Sequence, residues 1–364
     1  MVKYKFNDIA INSTLKKKPV EDDKYHYIGL EHLDSGSLQV TRYGSEIAPK
    51  GEKLVMKKGD VLFGKRRAYQ KKVGIAPFDG IFSAHGMVLR PKEDVVDKDF
   101  FPLFINSDYF LDAAIKISVG SLSPTINWGD LKELEFELPG LEEQRKLAKI
   151  LWAAEETKQA YKTLLQKTDD LVKAKFEEMF GNINETSDKN KKTIVEFVDI
   201  RDDLRKPLND ATRAEMKSGT LYPYYGAIGC VDYINEYKMD CDAICIAEDC
   251  GNYKAGEDSS YIISGKSWVN NHAHVLIPNS DSCLIKFLNF YFKIMDLTKF
   301  ISGSTRSKLT RGVLEHLPIY LPPLNDQTLF VRILETAEKS KQQLQKSLDS
   351  LNATMRALIN ENLK

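Results

Sequence analysis

The sequence has no excess of either charge. Its 52 lysines and arginines are matched by 52 aspartates and glutamates, which gives a formal net charge of zero. This balance argues against a protein that binds polyanions over its whole surface, but it leaves room for nucleic-acid binding through local basic loops. No apolar run reaches membrane-spanning length, and the N-terminal residues MVKYKFNDIA lack the apolar core of a signal peptide. We therefore expect a cytoplasmic protein with no membrane partner.

Cysteine is scarce. The five cysteines all lie in the second half of the chain, their number is odd, and their spacing matches no zinc-binding module. We expect free thiols in a reducing compartment and no metal. The alternative is a metal site built from Cys241, Cys245 and Cys250 with His272 or His274.

Motifs for catalysis and nucleotide binding are also missing. Ser264-Gly265-Lys266-Ser267 resembles the end of a phosphate-binding loop, but Ser260 stands where the leading glycine would be. The chain lacks the Asn-Pro-Pro-aromatic and Asp-Pro-Pro-Tyr tetrapeptides that amino-methyltransferases use. His85 and His272 have no companion Ser, Cys or Asp pattern, so we interpret them as core histidines. We predict that the chain is not an enzyme and carries no cofactor.

A long internal repeat is present instead. Leu138-Pro139-Gly140-Leu141-Glu142-Glu143-Gln144 recurs 183 positions later as Leu321-Pro322-Pro323-Leu324-Asn325-Asp326-Gln327. Proline at the start and acidic residues in the first turn are typical of helix N-termini. The first copy runs to Phe180 without another glycine or proline. Each copy therefore predicts a long helix, at 138–181 and 321–364, of about 60 Å at 1.5 Å per residue.

The apolar pattern of these helices indicates how they pack. In the second helix, apolar residues recur at alternating spacings of three and four, as in a coiled-coil seam. Lys341 interrupts this seam, and a polar residue there is expected to fix the register. A helix of this length with one apolar stripe needs a partner. We therefore expect the two helices to pair antiparallel, with one domain at each end. The alternative is that each helix packs separately on its own domain.

The remaining residues predict two β-rich globular domains, 1–137 and 194–320, separated by a polar linker at 182–193. His85-Gly86-Met87-Val88-Leu89 has a counterpart 187 positions later in His272-Ala273-His274-Val275-Leu276, so the domains are repeated as well as the helices. The predicted fold class is α+β, with two β-rich domains joined by two long antiparallel coiled-coil helices in a pseudo-twofold internal repeat.

Each domain contains a loop in which cations are concentrated. Five cations and a tyrosine lie within residues 64–72, and hydroxyl groups alternate with cations within residues 302–311. Such groups contact the phosphates and base edges of DNA. The residues that we expect to contact DNA are Lys65, Arg66, Arg67, Tyr69 and Lys71 in the first domain and Tyr225, Arg306, Lys308 and Arg311 in the second. The alternatives are solvated basic loops without a ligand and, for the tyrosines near Tyr225, a packed hairpin.

The order of these segments resembles the specificity subunit of type I restriction-modification systems. The resemblance rests on the Leu-Pro-x-Leu-Glu-Glu-Gln helix start and its second copy, on Tyr224-Tyr225-Gly226-Ala227, and on Tyr27-Ile28-Gly29-Leu30-Glu31. Two features depart from the family pattern. Asn325-Asp326 replaces the usual pair of glutamates, and in Glu248-Asp249-Cys250-Gly251 the acidic residue does not directly precede the glycine.

The resemblance implies two target-recognition domains that each read one half of a bipartite, asymmetric site on double-stranded DNA, with the helices as the spacer. It implies methyltransferase subunits and a motor-nuclease subunit as partners, which would supply methylation and ATP-driven cleavage. The chain itself would supply recognition and no catalysis. Two alternatives stay open: a recognition subunit split from a fused restriction-methyltransferase enzyme, and a coiled-coil scaffold whose domains do not bind DNA.

Overall fold

The chain forms two compact units. A computed structural model describes residues 1–185, 191–249, 252–303 and 307–363. The first unit consists of Met1–Lys162 with Gln345–Lys364, and the second consists of Thr163–Leu344. Each unit therefore combines one β-rich domain with parts of both long helices. Within the described ranges, no helix carries an apolar stretch long enough to cross a membrane.

The first domain is built mainly from short strands. Its strands are β1 (Val2–Lys5), β2 (Ala10–Ser13), β3 (Lys16–Lys17), β4 (Tyr27–Ile28), β5 (Lys53–Met56), β6 (Val61–Gly64), β7 (Val73–Ile75), β8 (Gly80–Phe82), β9 (Gly86–Pro91) and β10 (Glu135–Leu138). Its helices are α1 (Phe6–Ile9), α2 (Phe101–Ile105), α3 (Asp108–Lys116) and α4 (Trp128–Leu131), and the long helix α5 (Leu141–Phe180) follows.

The second domain repeats this organisation. Its strands are β11 (Lys192–Thr193), β12 (Val198–Ile200), β13 (Tyr222–Gly226), β14 (Gly229–Ile234), β15 (Met239–Asp240), β16 (Ala243–Ala247), β17 (Ser260–Ile263), β18 (Lys266–Val269), β19 (Ala273–Pro278) and β20 (Pro318–Ile319). Its helices are α6 (Asp210–Glu215), α7 (Ile285–Ile294) and α8 (Arg311–Glu315), and the long helix α9 (Leu324–Asn362) follows.

The sheets of the two domains correspond closely. One sheet has the order β2-β9-β6-β7 in the first domain and β12-β19-β16-β17 in the second, and the pairs β1-β10 and β11-β20 also match. In the other sheet, β5-β8-β4 corresponds to β15-β18-β13, with one parallel pair in each. The fourth strand differs, because β3 lies beside β5 in the first domain whereas β14 lies beside β13 in the second.

Both long helices contribute to the core of the first unit. Buried residues of α5, among them Leu147 and Leu151, belong to the same apolar cluster as Leu363, and Met355 and Ile359 of α9 pack against that cluster. Four phenylalanine rings lie at its centre, with centroids 5.0 to 5.9 Å apart for most pairs. The first unit is thus completed by residues from the end of the second repeat.

In the second unit the segments of α5 and α9 run antiparallel. The rings of Phe176 and Phe330 have centroids 5.1 Å apart. Further along, Lys341 Nζ lies 2.5 Å from Asp169 Oδ1. From the first contact to the second, the residue number falls along α5 and rises along α9. The antiparallel pairing predicted from the seam is therefore confirmed. Lys341, the residue expected to fix the register, forms an ion pair across the two helices.

The glutamine of the helix-start motif fastens α5 to the first domain. Gln144 is buried. Its Oε1 accepts a hydrogen bond from the Asp97 N–H at 2.8 Å, and its Nε2 donates to the carbonyl oxygens of Val95 at 3.1 Å and Pro139 at 2.8 Å. One side chain therefore satisfies three backbone groups that would otherwise lose their partners.

Gln327 makes the same three contacts in the second unit. Its Oε1 accepts from the Leu284 N–H at 2.9 Å, and its Nε2 donates to the carbonyl oxygens of Ser282 and Pro322, both at 2.8 Å. The repeat of the motif in the sequence is thus a repeat of one structural joint between a helix and its domain.

Candidate nucleic-acid interface

The basic loop of the first domain connects β6 to β7 and is held by its backbone. The Lys65 carbonyl oxygen accepts a hydrogen bond from the Ile126 N–H at 2.9 Å. Arg66 forms an isolated β-bridge with Thr125. The loop is therefore fixed against the segment that precedes α4, and its side chains project from a supported backbone.

Two residues of this loop adopt an unusual backbone conformation. Arg67 and Lys71 have φ angles of 54° and 47°, in the left-handed region, on either side of the short 3-10 turn Ala68–Gln70. This region is disfavoured for residues other than glycine and costs roughly 1–3 kcal/mol for each residue. Such conformations persist where the surroundings impose them, and they are concentrated at functional sites.

Most of the predicted contact residues of the first domain are accessible. Arg66 and Arg67 are exposed, and Tyr69 is 58% exposed. Within the described ranges, no carboxylate forms an ion pair with Lys65, Arg66 or Arg67. These cations are therefore available to an external anion.

Lys71 is held differently. Its Nζ lies 2.7 Å from Asp108 Oδ1 and 2.8 Å from Asp112 Oδ1, both on α3. Partial burial lowers the pKa of Lys71, but the hydrogen bonds and charges of the two carboxylates outweigh burial and raise it overall. The ammonium group is thus already neutralised, and Lys71 fastens the loop to the domain.

His85 lies beside this loop, directly before β9. It is exposed, and its Nε2 lies 3.5 Å from Arg66 Nη1. The pKa of His85 is lowered by partial burial and then by the charges of Arg66, Lys65 and Lys53. Three cations acting on one imidazole indicate a positive potential at this surface. The interpretation of His85 as a core histidine is wrong, because the side chain is exposed at the end of the sheet.

Strand pairing brings further lysines to this surface, and sequence reasoning missed them. Lys16 and Lys17 of β3 pair with Leu54 and Lys53 of β5. The Lys17 ammonium group lies 3.0 Å from Asp23 Oδ1 and is neutralised there, so the addition to this surface is Lys16. The signal that could have indicated them is the run of three lysines at 16–18, which follows β2 closely. Their distance from the 64–72 loop in the sequence concealed the connection.

The second domain carries a matching backbone arrangement with different charges. The bridge Arg66↔Thr125 is repeated 183 positions later by Asp249↔Lys308. Asp249 of the second domain therefore occupies the position of Arg66 in the first domain, and Lys308 occupies the position of Thr125.

Asp249 is buried and holds a histidine at the surface. Its Oδ1 lies 2.8 Å from His272 Nδ1, and the His272 side chain is 40% exposed. His272 corresponds to His85 in the repeat, and its interpretation as a core histidine is also wrong. The carboxylate engages Nδ1, and no hydrogen bond from the described residues reaches the other ring nitrogen of His272, which can therefore meet a ligand.

Behind this histidine lies a buried network of charges. His274 Nδ1 lies 2.7 Å from Asp202 Oδ2, and His274 Nε2 lies 2.8 Å from the Leu309 carbonyl oxygen. Both ring nitrogens of His274 therefore lie within hydrogen-bond distance of an oxygen acceptor. Arg205 lies 2.9 Å from Asp202 and 2.7 Å from Glu248. Opposite charges in this network therefore neutralise one another.

Two of the cations predicted to contact DNA in the second domain, Lys308 and Arg311, lie in the described part of the chain, and both have carboxylates nearby. Lys308 Nζ lies 3.6 Å from Glu248 Oε1 and 3.9 Å from Asp249 Oδ2. Arg311, at the start of α8, lies 2.8 Å from Glu315. Both side chains are partly exposed, so they can reach a ligand, but their charge is partly compensated.

The other two predicted residues of the second domain differ in position. Tyr225 is half-buried on β13, and its ring lies 5.6 Å from that of Tyr261. Burial is the main cause that raises the pKa of its hydroxyl group. Arg306 lies outside the described residues.

The cysteines do not form a described metal site. No cluster of three or more His, Cys, Asp or Glu suited to a metal ion occurs in the described part of the chain, and Cys250 lies outside that part. Cys230, Cys241, Cys245 and Cys283 are free, as expected. Burial raises the pKa of Cys245 and of Cys283 to about 12, which keeps both thiols protonated and unreactive.

The family model for the type I restriction modification DNA specificity domain matches residues 2–167 and 179–352. These two matches cover most of the chain, which therefore belongs to this family and contains the domain twice. The family inferred from the helix-start motif is thus confirmed.

Two relatives match part of the chain. S.HindORF215P of Haemophilus influenzae, assigned as a type I restriction enzyme specificity subunit, is 36% identical over 144 residues, which are 40% of this chain and 36% of that protein. The EcoDI type I restriction enzyme specificity subunit of Escherichia coli is 26% identical over 147 residues, 40% of this chain and 32% of that protein. The matched segments span about a third of the relatives' own length.

Two solved structures share the fold along the whole chain. One is a chain from a structure that addresses complex assembly and conformational transition of the type I R-M system, with a TM-score of 0.62, 17% identity and coverage of 99% and 97% of the two chains. The other is the type I restriction-modification S subunit of M. genitalium, with a TM-score of 0.58, 16% identity and coverage of 100% and 96%. The predicted fold class, with two β-rich domains and two long helices in an internal repeat, is confirmed.

Proposed function

We propose that this chain is the specificity subunit of a type I restriction-modification complex and reads a bipartite, asymmetric site on double-stranded DNA. The observation that carries the proposal is the repeated backbone bridge. In both domains the corresponding strand leads into an equivalent bridge, but the first domain places exposed Arg66 there, whereas the second places buried Asp249, which holds the partly exposed His272. Two similar supports with different side chains suit two different half-sites.

The chemistry of the basic loop in the first domain fits contact with DNA. A guanidinium group such as that of Arg66 can donate two parallel hydrogen bonds to O6 and N7 of guanine. The ammonium group of Lys65 suits a phosphate. The residues proposed to make or support these contacts are those predicted from the sequence together with the two surface histidines: Lys65, Arg66, Arg67, Tyr69, Lys71, His85, Tyr225, His272, Arg306, Lys308 and Arg311. In this set, Lys71 acts by positioning the loop.

The partners and the domain limits belong to the same proposal. Methyltransferase subunits supply the methyl transfer, and a motor-nuclease subunit supplies cleavage, in the cytoplasm. The recognition domains are 1–137 and 194–320, the linker is 182–193, and the spacer helices are 138–181 and 321–364. The family assignment and the absence of catalytic motifs in the sequence support a chain that provides recognition alone.

The chain by itself is expected neither to methylate nor to cleave DNA. Its contribution is recognition, and the catalytic residues for methyl transfer and for cleavage belong to other subunits. The measurement is transfer of labelled methyl from S-adenosylmethionine to DNA, with and without added methyltransferase subunits. Methyl transfer by the isolated chain contradicts this part of the proposal.

Arg66→Ala is expected to weaken base discrimination at one half-site by about 5- to 150-fold, equivalent to 1–3 kcal/mol, because a bidentate contact to guanine is lost. His272→Ala is expected to relax the other half-site instead. The measurement is a binding selection on randomised bipartite sites, using the chain assembled with methyltransferase subunits. Arg42→Ala is the matched control, since Arg42 is an exposed arginine of the same domain that pairs with Asp34.

The outcomes separate the residue assignment from the function. If Arg66→Ala behaves like Arg42→Ala, the basic loop does not read bases, and the assignment fails. A wild-type complex without salt-dependent DNA binding contradicts the function itself and favours a scaffold. Half-site recognition together with a fused nuclease partner instead indicates a split restriction-methyltransferase enzyme.

A further inference from the structure

A cavity of about 350 Å³ lies beside the basic loop of the first domain. Its polar lining comes from β2 and β3, from the start of the basic loop and from the start of α4. The polar and aromatic lining residues that matter here are Ser13, Thr14, Lys16, Lys65, Asn127 and Trp128. None of the lining residues, all of which lie in the described part of the chain, carries a carboxylate.

The charges at this cavity are not compensated by the protein. Among the described residues, neither Lys16 nor Lys65 has an ion-pair partner. Two ammonium groups that line one cavity repel each other, and Lys53 and Arg66 add further positive charge at neighbouring His85. Hydroxyl and amide groups supply neutral hydrogen-bond donors. This combination suits an anion with several acceptor oxygens.

The second domain lacks this combination at the equivalent positions. Glu248 stands where Lys65 stands, and His274 stands where Met87 lines the cavity. These side chains belong to the self-neutralised network of the second domain. Among the described residues, strand β3, which carries Lys16, has no counterpart in the corresponding sheet of the second domain. The chemistry of this lining is thus a feature of the first domain and not of the shared fold.

We propose that this cavity binds a backbone phosphate of the DNA beside the half-site that the first domain reads. Lys16 and Lys65 neutralise the phosphodiester, and Ser13 and Asn127 donate hydrogen bonds to its oxygens. The proposal rests on the proposed function of the chain. It has a consequence for affinity, because the first domain then contributes more of the salt dependence of binding than the second.

Lys16→Gln is expected to weaken binding about equally on all DNA sequences and to lower the slope of log affinity against log salt by about one unit, because one phosphate contact is lost. Lys16→Gln combined with Lys65→Gln lowers the slope by about two units. Thr14→Asp places a carboxylate in the cavity and is expected to lower the salt slope without removing a lysine. The control is Lys18→Gln, an exposed lysine two positions along that does not line the cavity and keeps the wild-type slope.

The measurement is a salt titration of DNA binding by the full chain assembled with methyltransferase subunits, with half-site preference recorded in parallel. If Lys16→Gln and Lys18→Gln have the same slope, the cavity holds no DNA phosphate. The proposed function still stands in that case, provided that the wild type retains its half-site preferences. A wild type without any preference contradicts the proposed function instead.

Two further outcomes test the identity of the ligand. A change in base preference with Lys16→Gln assigns the cavity to a base and overturns the phosphate assignment. Inorganic phosphate is the second probe. If it raises the Tm of the free wild-type chain but not of Lys16→Gln, while the DNA salt slopes are equal, the cavity is a site for free anions and the proposal fails.

Discussion

Gln327→Leu is expected to lower the free energy of unfolding of the second unit by at least about 3 kcal/mol, since three backbone groups lose a buried partner at roughly 1–3 kcal/mol each. The affected groups are the Leu284 N–H and the carbonyl oxygens of Ser282 and Pro322. Leucine is similar in size, so the change removes the hydrogen bonds with little loss of packing. Urea unfolding measures the change in stability. Hydrogen exchange of the native protein is the second measurement, in which the Leu284 amide is expected to lose its protection.

The repeat provides both a second test and a control. Gln144→Leu is expected to have the same effect on the first unit, where Gln144 contacts Val95, Asp97 and Pro139. Gln166→Leu alters an exposed glutamine on the same helix and is expected to change stability by less than about 0.5 kcal/mol. If Gln327→Leu and Gln166→Leu are equally stable, the motif glutamine does not fasten the helix.

Asp202→Ala is expected to destabilise the second unit by about 1–3 kcal/mol, because buried polar groups lose a hydrogen-bond partner. The groups affected are the His274 imidazole and the Arg205 guanidinium, which lie 2.7 Å and 2.9 Å from Asp202; Arg205 keeps Glu248 as its second partner. The measurement is urea unfolding at neutral pH. Asp203→Ala is the matched control, since Asp203 is exposed and pairs only with exposed Arg201 among the described residues.

The same variant is expected to change the pH dependence of stability. Burial raises the pKa of Asp202, but the hydrogen bond and charge of His274 and the charge of Arg205 outweigh burial and lower it overall. A carboxyl group whose pKa is lower in the folded state stabilises the protein above its unfolded pKa of about 3.9, and this stability is lost as the pH falls through the folded value.

Wild-type stability is therefore expected to fall more steeply than that of Asp202→Ala as the pH is lowered from about 5. Urea midpoints at a series of pH values measure the difference between the two curves. Parallel curves, or a stability of Asp202→Ala equal to that of Asp203→Ala, contradict a stabilising role for the network.

The long helices were the most predictable elements because their signals are local. The proline, the acidic first turn and the final glutamine of each motif lie within seven residues, and α5 and α9 begin at Leu141 and Leu324. Gly181, with a φ of 77°, follows α5 as a left-handed residue typical of a helix C-terminus. The seam also predicted the antiparallel pairing, because apolar stripes on two such helices have few other partners.

The surface of the first domain was only partly predictable, because sheet register is not local. The pairing of β3 with β5 places Lys16 opposite Leu54. No periodicity in either segment indicates which strand will be its neighbour, since a strand pattern reports which face is buried and not its partner. The basic loop at 64–72 was visible because its cations are contiguous in the sequence.

The second domain was less predictable for a different reason. Repeat detection relies on residues that are alike, such as Gly120-Ser121 and Gly303-Ser304. Arg66 and Asp249 occupy equivalent positions but carry opposite charges, so the comparison of sequences passed over them. His85 and His272 were interpreted as buried because the apolar residues that follow them in the sequence are buried. Both histidines instead lie at the end of the sheet, where the chain reaches the surface.

The composition of the first unit has a consequence for biosynthesis. Leu363 is buried in the same core as Leu147, so the unit that begins the chain needs residues that follow the entire second unit. The second unit is one continuous stretch and can close its own core as it leaves the ribosome. The first must hold an exposed apolar surface until residues 345–363 have been translated. A premature stop codon shortly after Leu344 would therefore damage the half of the protein that was made first.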